Sequence, residues 1–157
     1  MYRRQPSDSL TVKDKITLLK AEIGDRVLTG NQLKIYRAFT KMTGRPTTIE
    51  TIDGNGDMIR FKIYSNKNDD GTIHILQKHY KTNIGYVSAI EIVNLCSVIE
   101  HGKKTRSRNC TVYTLVKSNN RTRLKTALKI VVGKDYILKS FYSDRQKNVS
   151  MTAVSHP

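Results

Sequence analysis

The chain has no tryptophan, only three phenylalanines and three prolines, and just two cysteines. So few cysteines exclude the disulfide framework that holds many small secreted domains together. Neither CxxC nor a His/Cys ligand spacing occurs, so no structural zinc site and no cofactor is expected. GxxxxGK[ST] and GxGxxG are missing, and with them any sign of a nucleotide cradle. Acidic side chains are scarce, 13 against 28 Lys plus Arg. Asp53, Asp57, Asp69 and Asp70 fall in turn-like stretches, where such residues bond their own backbone, rather than in a metal-holding cluster. No apolar run approaches the roughly 18 residues that span a bilayer. MYRRQPSDSL lacks the hydrophobic core of a signal peptide, so the chain as it stands is expected to be soluble, whether free or part of an exported protein.

What is present is positive charge. The net charge is +15 over 157 residues, and 38% hydrophobic residues suffice for one modest core. Residues 1–70 carry +4 of that charge and residues 71–157 carry +11. No Asp or Glu occurs between Glu100 and Asp135, a window that holds Lys103, Lys104, Arg106, Arg108, Lys117, Arg121, Arg123, Lys125, Lys129 and Lys134. A charge run is ordinarily a solvated face. One this long without an acidic counterweight favours a polyanionic partner: nucleic acid first, then an anionic membrane surface or an acidic protein.

Periodicity organises the chain. Val12, Ile16, Leu19 and Ile23 recur at helical spacing from Thr11 to about Asp25, with Thr11 or Ser9 as cap. Gln32 to about Thr43 reads as a second helix, with Leu33, Tyr36, Ala38 and Met42 among its apolar positions. TTIETI and MIRFKIYS flank the turn signal Asp53-Gly54-Asn55-Gly56-Asp57 and read as a hairpin. A short helix is expected over Thr72 to about Tyr80, and a longer one from Ser88 to His101, ended by Gly102. After the basic loop KKTRSRN come three strand-like runs, CTVYTLVK, RTRLKTALKIVV and DYILKSFYS, separated at Asn119-Asn120 and Gly133-Lys134. The middle run alternates Leu128, Ile130 and Val132 with Lys125, Ala127 and Lys129. The expected class is α+β, with N-terminal helices packed on a C-terminal antiparallel sheet. Residues 1–70 form a helical and hairpin portion of the same domain or a lead-in, 71–145 a basic catalytic core, and 146–157 a loose tail.

RNA cleavage needs a base for the 2′-OH, an acid for the leaving oxygen and cations around the phosphorane; binding alone needs charge and stacking rings. Tyr64, Tyr80, Tyr86, Tyr113, Tyr136 and Tyr142 could stack. HILQKHY, residues 74–80, places His74 and His79 around Lys78 in a chain with four histidines. By itself this is the polar edge of a helix. Lys78 would lower the pKa of His79 and keep it an unprotonated base near neutral pH. His101 reads as a helix C-terminal residue. In DYILKSFYS, strict alternation would group Tyr136, Leu138, Ser140 and Tyr142 on one side and Ile137, Lys139, Phe141 and Ser143 on the other. Ser140 and Tyr142 would then share a face and could contact one phosphate.

A helical N-terminal portion, HILQKHY, the helix SAIEIVNLCSVIEHGK and strands ending in ALKIVVGKDYILKSFYS together resemble the barnase–EndoU–colicin–RelE superfamily of metal-independent ribonucleases. The resemblance spans about residues 72–145 and is nearest to variants that serve as toxin domains in bacterial contact-dependent growth inhibition and related competition systems. It implies an endoribonuclease, with tRNA the expected substrate, that acts by 2′-OH attack to leave a 2′,3′-cyclic phosphate. It implies action in the cytoplasm of a target bacterial cell, delivery as the C-terminal part of a larger protein, and an acidic immunity protein over the site. The acid or base role falls on His79, with His74 the lesser choice and Lys78 the helper; Ser140 and Tyr142 fall at the scissile phosphate. Lys103, Lys104, Arg106, Arg108, Arg121, Arg123 and Lys125 are the expected backbone contacts. The alternative is a basic nucleic-acid-binding module without catalysis.

Overall fold

The computed structural model describes residues 10–65, 71–118, 121 and 124–146. Arg123, the turn at Asn119-Asn120, Asp69, Asp70 and nearly all of the tail lie outside them. The class is α+β, with helices mostly in the N-terminal half and a four-stranded antiparallel sheet in the C-terminal half.

Helix α1 spans Val12–Ile23 and starts on a reciprocal cap: the Thr11 hydroxyl accepts from the Asp14 amide, and the Asp14 carboxylate accepts from the Thr11 amide. Helix α2, Asn31–Lys41, buries Ile35, Ala38 and Phe39. The core stripe thus runs through Ile35 and Phe39, one turn apart, while Leu33 and Tyr36 stand at its flanks. Strands β1 (Thr47–Ile52) and β2 (Met58–Ile63) form the expected hairpin. Its turn is closed by Asp53, whose carboxylate accepts from the amides of Asn55 and Asp57. Helix α3 covers Gly71–His79.

The expected long helix over Ser88–His101 is two short ones, α4 (Ala89–Val93) and α5 (Cys96–His101). The break falls at Asn94, whose side chain bonds back to the Ile90 carbonyl and accepts from the Gln32 amide. A short polar side chain that engages the backbone competes with the helical ladder, and here the chain tightens into i+3 bonds from Leu95 to Ile92 and Ser97 to Asn94. The basic stretch read as a loop is in part a strand: β3, Lys103–Arg106, pairs with β4, Cys110–Ser118. Strands β5 (Lys125–Gly133) and β6 (Leu138–Ser143) complete the order β3-β4-β5-β6.

One face of the sheet joins the helices and hairpin in a single core that includes Leu19, Phe39, Phe61, Ile130 and Phe141. Strand β6 departs from simple alternation. Val132 pairs with Leu138 but Val131 pairs with Ser140, so Lys139 is the extra residue of a bulge. Leu138 and Phe141 therefore both enter the core, while Ser140 and Tyr142 share the opposite face. No described helix is long and apolar enough to cross a membrane. Cys96 is buried and Cys110 half-buried, and both are free thiols. Burial pushes the Cys96 thiol up to about 12, with the Glu100 charge adding to it.

Candidate functional site

Pairing partners in an antiparallel sheet share a face, so the register reads out surface rows directly. On the face turned away from the helices, one row is Lys103–Thr114–Lys129–Tyr142, and the next is Thr105–Val112–Val131–Ser140. With strands about 4.8 Å apart, the first row carries two cations and two hydroxyls over on the order of 14 Å. It ends at the histidines. The rings of Tyr142 and His79 lie 5.4 Å apart, and His79 meets His74 edge-on at 5.2 Å. His74, His79 and Tyr142 are thus brought together where α3 packs along β6, with Ser140 two residues before Tyr142 on the same face. Five residues apart, His74 and His79 do not share a helix face by spacing alone; they meet because His79 is the last residue of α3 and its ring turns back toward His74.

The position of His79 is set from three directions. Lys15, buried on α1, donates from Nζ to the carbonyls of Leu76 and Gln77 at 2.8 and 3.2 Å and so grips the last turn of α3. The His79 carbonyl accepts from the Val87 amide at 2.8 Å. Gly85 lies against the ring, and its own amide and carbonyl pair with Arg145 and Ser143 beyond the end of β6. A Cβ at Gly85 would stand 3.3 Å from the Ser143 carbonyl and 3.4 Å from His79 Nδ1, at a φ of +68° that side chains rarely adopt. Gly85→Ala is accordingly expected to lower stability by about 1–2 kcal/mol and to displace the imidazole. Urea unfolding and the NMR resonances of the His79 ring check the two, and wild-type values for both would rule out this packing.

Electrostatics at His79 favours the neutral ring. Burial lowers its pKa from 6.5 to about 4, with the charge of His74 next, and Lys15 and Lys78 adding to it; only the Gly85 backbone opposes. Lys78 therefore acts in the expected direction, but as the least of these causes, and it stands exposed on the last turn of α3. Nδ1 is closed off from solvent and makes no hydrogen bond among the described residues.

Ser140 is on the expected face, yet its Oγ is also closed off and without a hydrogen-bond partner among the described residues. A phosphate arriving on this face meets Tyr142 and Lys129 before it meets that hydroxyl. The basic window divides. Lys103, Lys125 and Lys129 belong to this face, whereas Lys104, Arg106 and Arg108 line a cleft shared with the hairpin. Arg121 is exposed in the β4–β5 connection, and Arg123 lies outside the described residues. The tyrosines divide too. Tyr80 is core, 1% exposed, with its hydroxyl donating to Glu22, so it cannot stack a base. Lys129, Lys15 and Gly85 are the residues that motif reasoning passed over. Lys129 was visible as a charge but not as the cross-strand neighbour of Tyr142, and Lys15 carried only the signal of a lysine amid a helix's apolar positions.

Among the described residues no three His, Cys, Asp or Glu side chains are grouped to hold a metal ion. No family model, curated protein or solved structure matches the chain.

Proposed function

We propose that this chain is a metal-independent toxin ribonuclease that cleaves RNA, with tRNA the substrate of first choice. The observation that carries the reading is a half-buried histidine, held neutral, at the end of a cationic row on an otherwise open sheet face. A neutral imidazole near pH 7 is a base rather than an acid. His79 takes the 2′-OH proton through Nε2, since Nδ1 is closed off. The freed oxygen attacks phosphorus and yields a 2′,3′-cyclic phosphate. His74, whose ring meets His79 edge-on, is placed to return a proton to the leaving 5′-oxygen. Lys129 and Tyr142 meet the phosphate, and Lys103 continues the backbone track. This division differs from the family pattern at Ser140, which lies beneath the track.

The same charge suits an acidic immunity protein covering the row, and a role as a toxin in the cytoplasm of a rival bacterium, delivered within a larger protein. Incubation of the purified chain with total RNA in EDTA tests the reading. Defined cuts that persist in the chelator are expected. Intact RNA that is nonetheless shifted in a gel would leave the binding-module alternative in its place.

A further inference from the structure

A second basic feature lies away from the histidines. The β3–β4 and β5–β6 turns meet at one end of the sheet, where the Lys134 amide donates to the Asn109 carbonyl at 3.0 Å. Between these turns and the β1–β2 hairpin is a cleft of about 380 Å³. Lys104, Arg106, Arg108 and Lys134 line it, with Tyr113 in its wall and Tyr136 at its mouth. Lys104 is neutralised by Asp53 at 3.5 Å. Arg106, Arg108 and Lys134 have no carboxylate partner among the described residues, and Asp57 is the acid in the lining, so the cleft keeps an excess of positive charge.

Tyr136 is the less ordinary part. It is 62% exposed, so it contributes little to the core. Yet its backbone is fixed at φ +62°, between a bond from its amide to the Gly133 carbonyl and one from the Lys62 amide to its own carbonyl. A glycine would adopt this conformation without strain. A large aromatic residue held there, exposed, beside unpaired cations has the composition of a base-stacking platform next to a phosphate site. Strand β3 joins the two regions, running from Lys103 in the row that leads to His79 to Arg106 in the cleft.

We propose that this cleft is a second nucleotide subsite, in which Tyr136 stacks a base of single-stranded RNA while Arg106, Arg108 and Lys134 hold its phosphate. The inference rests on RNA being the ligand of this chain, and it makes the enzyme engage nucleotides remote from the cut bond. It would thereby favour substrates with an unpaired stretch beside the cleavage site.

The test uses the full chain and a short labelled oligothymidylate, which has no 2′-OH and reads binding without cleavage. Tyr136→Gly removes the ring and relieves the backbone, so loss of binding cannot be put down to misfolding. Affinity is expected to fall about tenfold in Tyr136→Gly and to persist in Tyr136→Phe. Arg106→Ala should reduce the slope of log K against log salt by about 0.7. The half-buried thiol of Cys110 lines the cleft and reports occupancy, since Cys96 is buried. Bound oligonucleotide should slow its alkylation several-fold. Wild-type affinity in Tyr136→Gly, or alkylation of Cys110 unchanged at saturation, overturns the subsite. Equal protection by polyglutamate would assign the cleft to acidic protein side chains and overturns it as well. The two proposals fail separately: RNA left uncut while Tyr136→Gly weakens binding retains the subsite and removes the ribonuclease, and the reverse pattern does the opposite.

Discussion

Replacing His79 by alanine is expected to slow RNA cleavage by at least about 100-fold, the scale of a lost general base, with little change in the unfolding midpoint. The side chain makes no hydrogen bond through Nδ1 among the described residues and contributes to the site rather than to the core cluster. The pH profile separates catalysis from support. A base with a pKa near 4 is already deprotonated in mildly acidic solution, so the rate should climb through about pH 4 and be flat by pH 6 on that limb. Removing the neighbouring charge in His74→Gln should move the limb to higher pH, because that charge is the second force holding His79 neutral. It should also remove the proposed acid. The same shift has a consequence for folding. The unfolded chain takes up this proton near 6.5 and the folded chain only near 4, so between these values the unfolded state binds more protons. This histidine's contribution to stability is complete above 6.5 and is lost as the pH falls towards 4. Calorimetry of wild type and His79→Gln across that window should show a steeper fall in the wild type. A rate limb centred near 6.5 would contradict a buried, neutral His79.

Replacing Arg145 by methionine is expected to cost about 3 kcal/mol, the low end for a broken buried ion pair, because the guanidinium keeps part of its surface in water. Arg145 donates from both terminal nitrogens to the two carboxylate oxygens of Glu91, at 2.6 and 2.7 Å, and lies over the ring of Tyr86. Glu91 is the better buried partner, its side chain 10% exposed against 23% for Arg145. Burial alone would raise the Glu91 carboxyl, but the Arg145 hydrogen bonds and the Ser88 backbone overcome it and hold it below the usual range. The pair therefore contributes stability above the ordinary carboxylate pKa and loses it as acid protonates Glu91. Arg145→Met leaves that carboxylate with only its cap to Ser88. It also loosens the 84–87 segment that backs His79, so activity should fall with stability. Urea unfolding of Arg145→Met, Glu91→Gln and the double variant measures this. The double variant should recover part of the loss, since no unpaired buried charge remains. Strictly additive losses would show that the two side chains do not act as a pair.

How far these features could be read in advance depended on whether they are local. The cap at Thr11, one of two candidates there, the DGNGD turn and the alternation of β5 were legible because a cap, an Asx turn and a two-sided strand are written within a few residues. The two helices in place of one were not. SAIEIVNLCSVIEH has unbroken helical periodicity, and the break at Asn94 depends on Gln32, 62 residues away. β3 was hidden for a related reason: KKTR has no apolar face of its own, and becomes a strand only by pairing with β4. Counting by two along β6 placed Ser140 and Tyr142 together correctly, but put Leu138 with them, because a bulge leaves no mark on alternation until the partner strand is known. At the site, spacing by four put His74 on a face with Lys78, whereas the contact of His74 with His79 depended on how the last turn of α3 ends. The depth of His79, the covered Ser140 hydroxyl and the alignment of Lys129 with Tyr142 required the register of four strands. Charge showed the same pattern. The acid-free window was plain as an excess of positive charge, whereas its division between the two faces of the sheet was a property of β3 and its neighbours.

The central claim, that His79 activates a 2′-hydroxyl at the end of this cationic row, is tested most directly by the ends it would create. Fragments from a defined RNA should carry 2′,3′-cyclic phosphates and 5′-hydroxyls, in EDTA as without it, and a single 2′-deoxy substitution at the cut position should abolish that cut. Fragments with 3′-hydroxyl and 5′-phosphate ends, or a cut that survives the 2′-deoxy substitution, would contradict it.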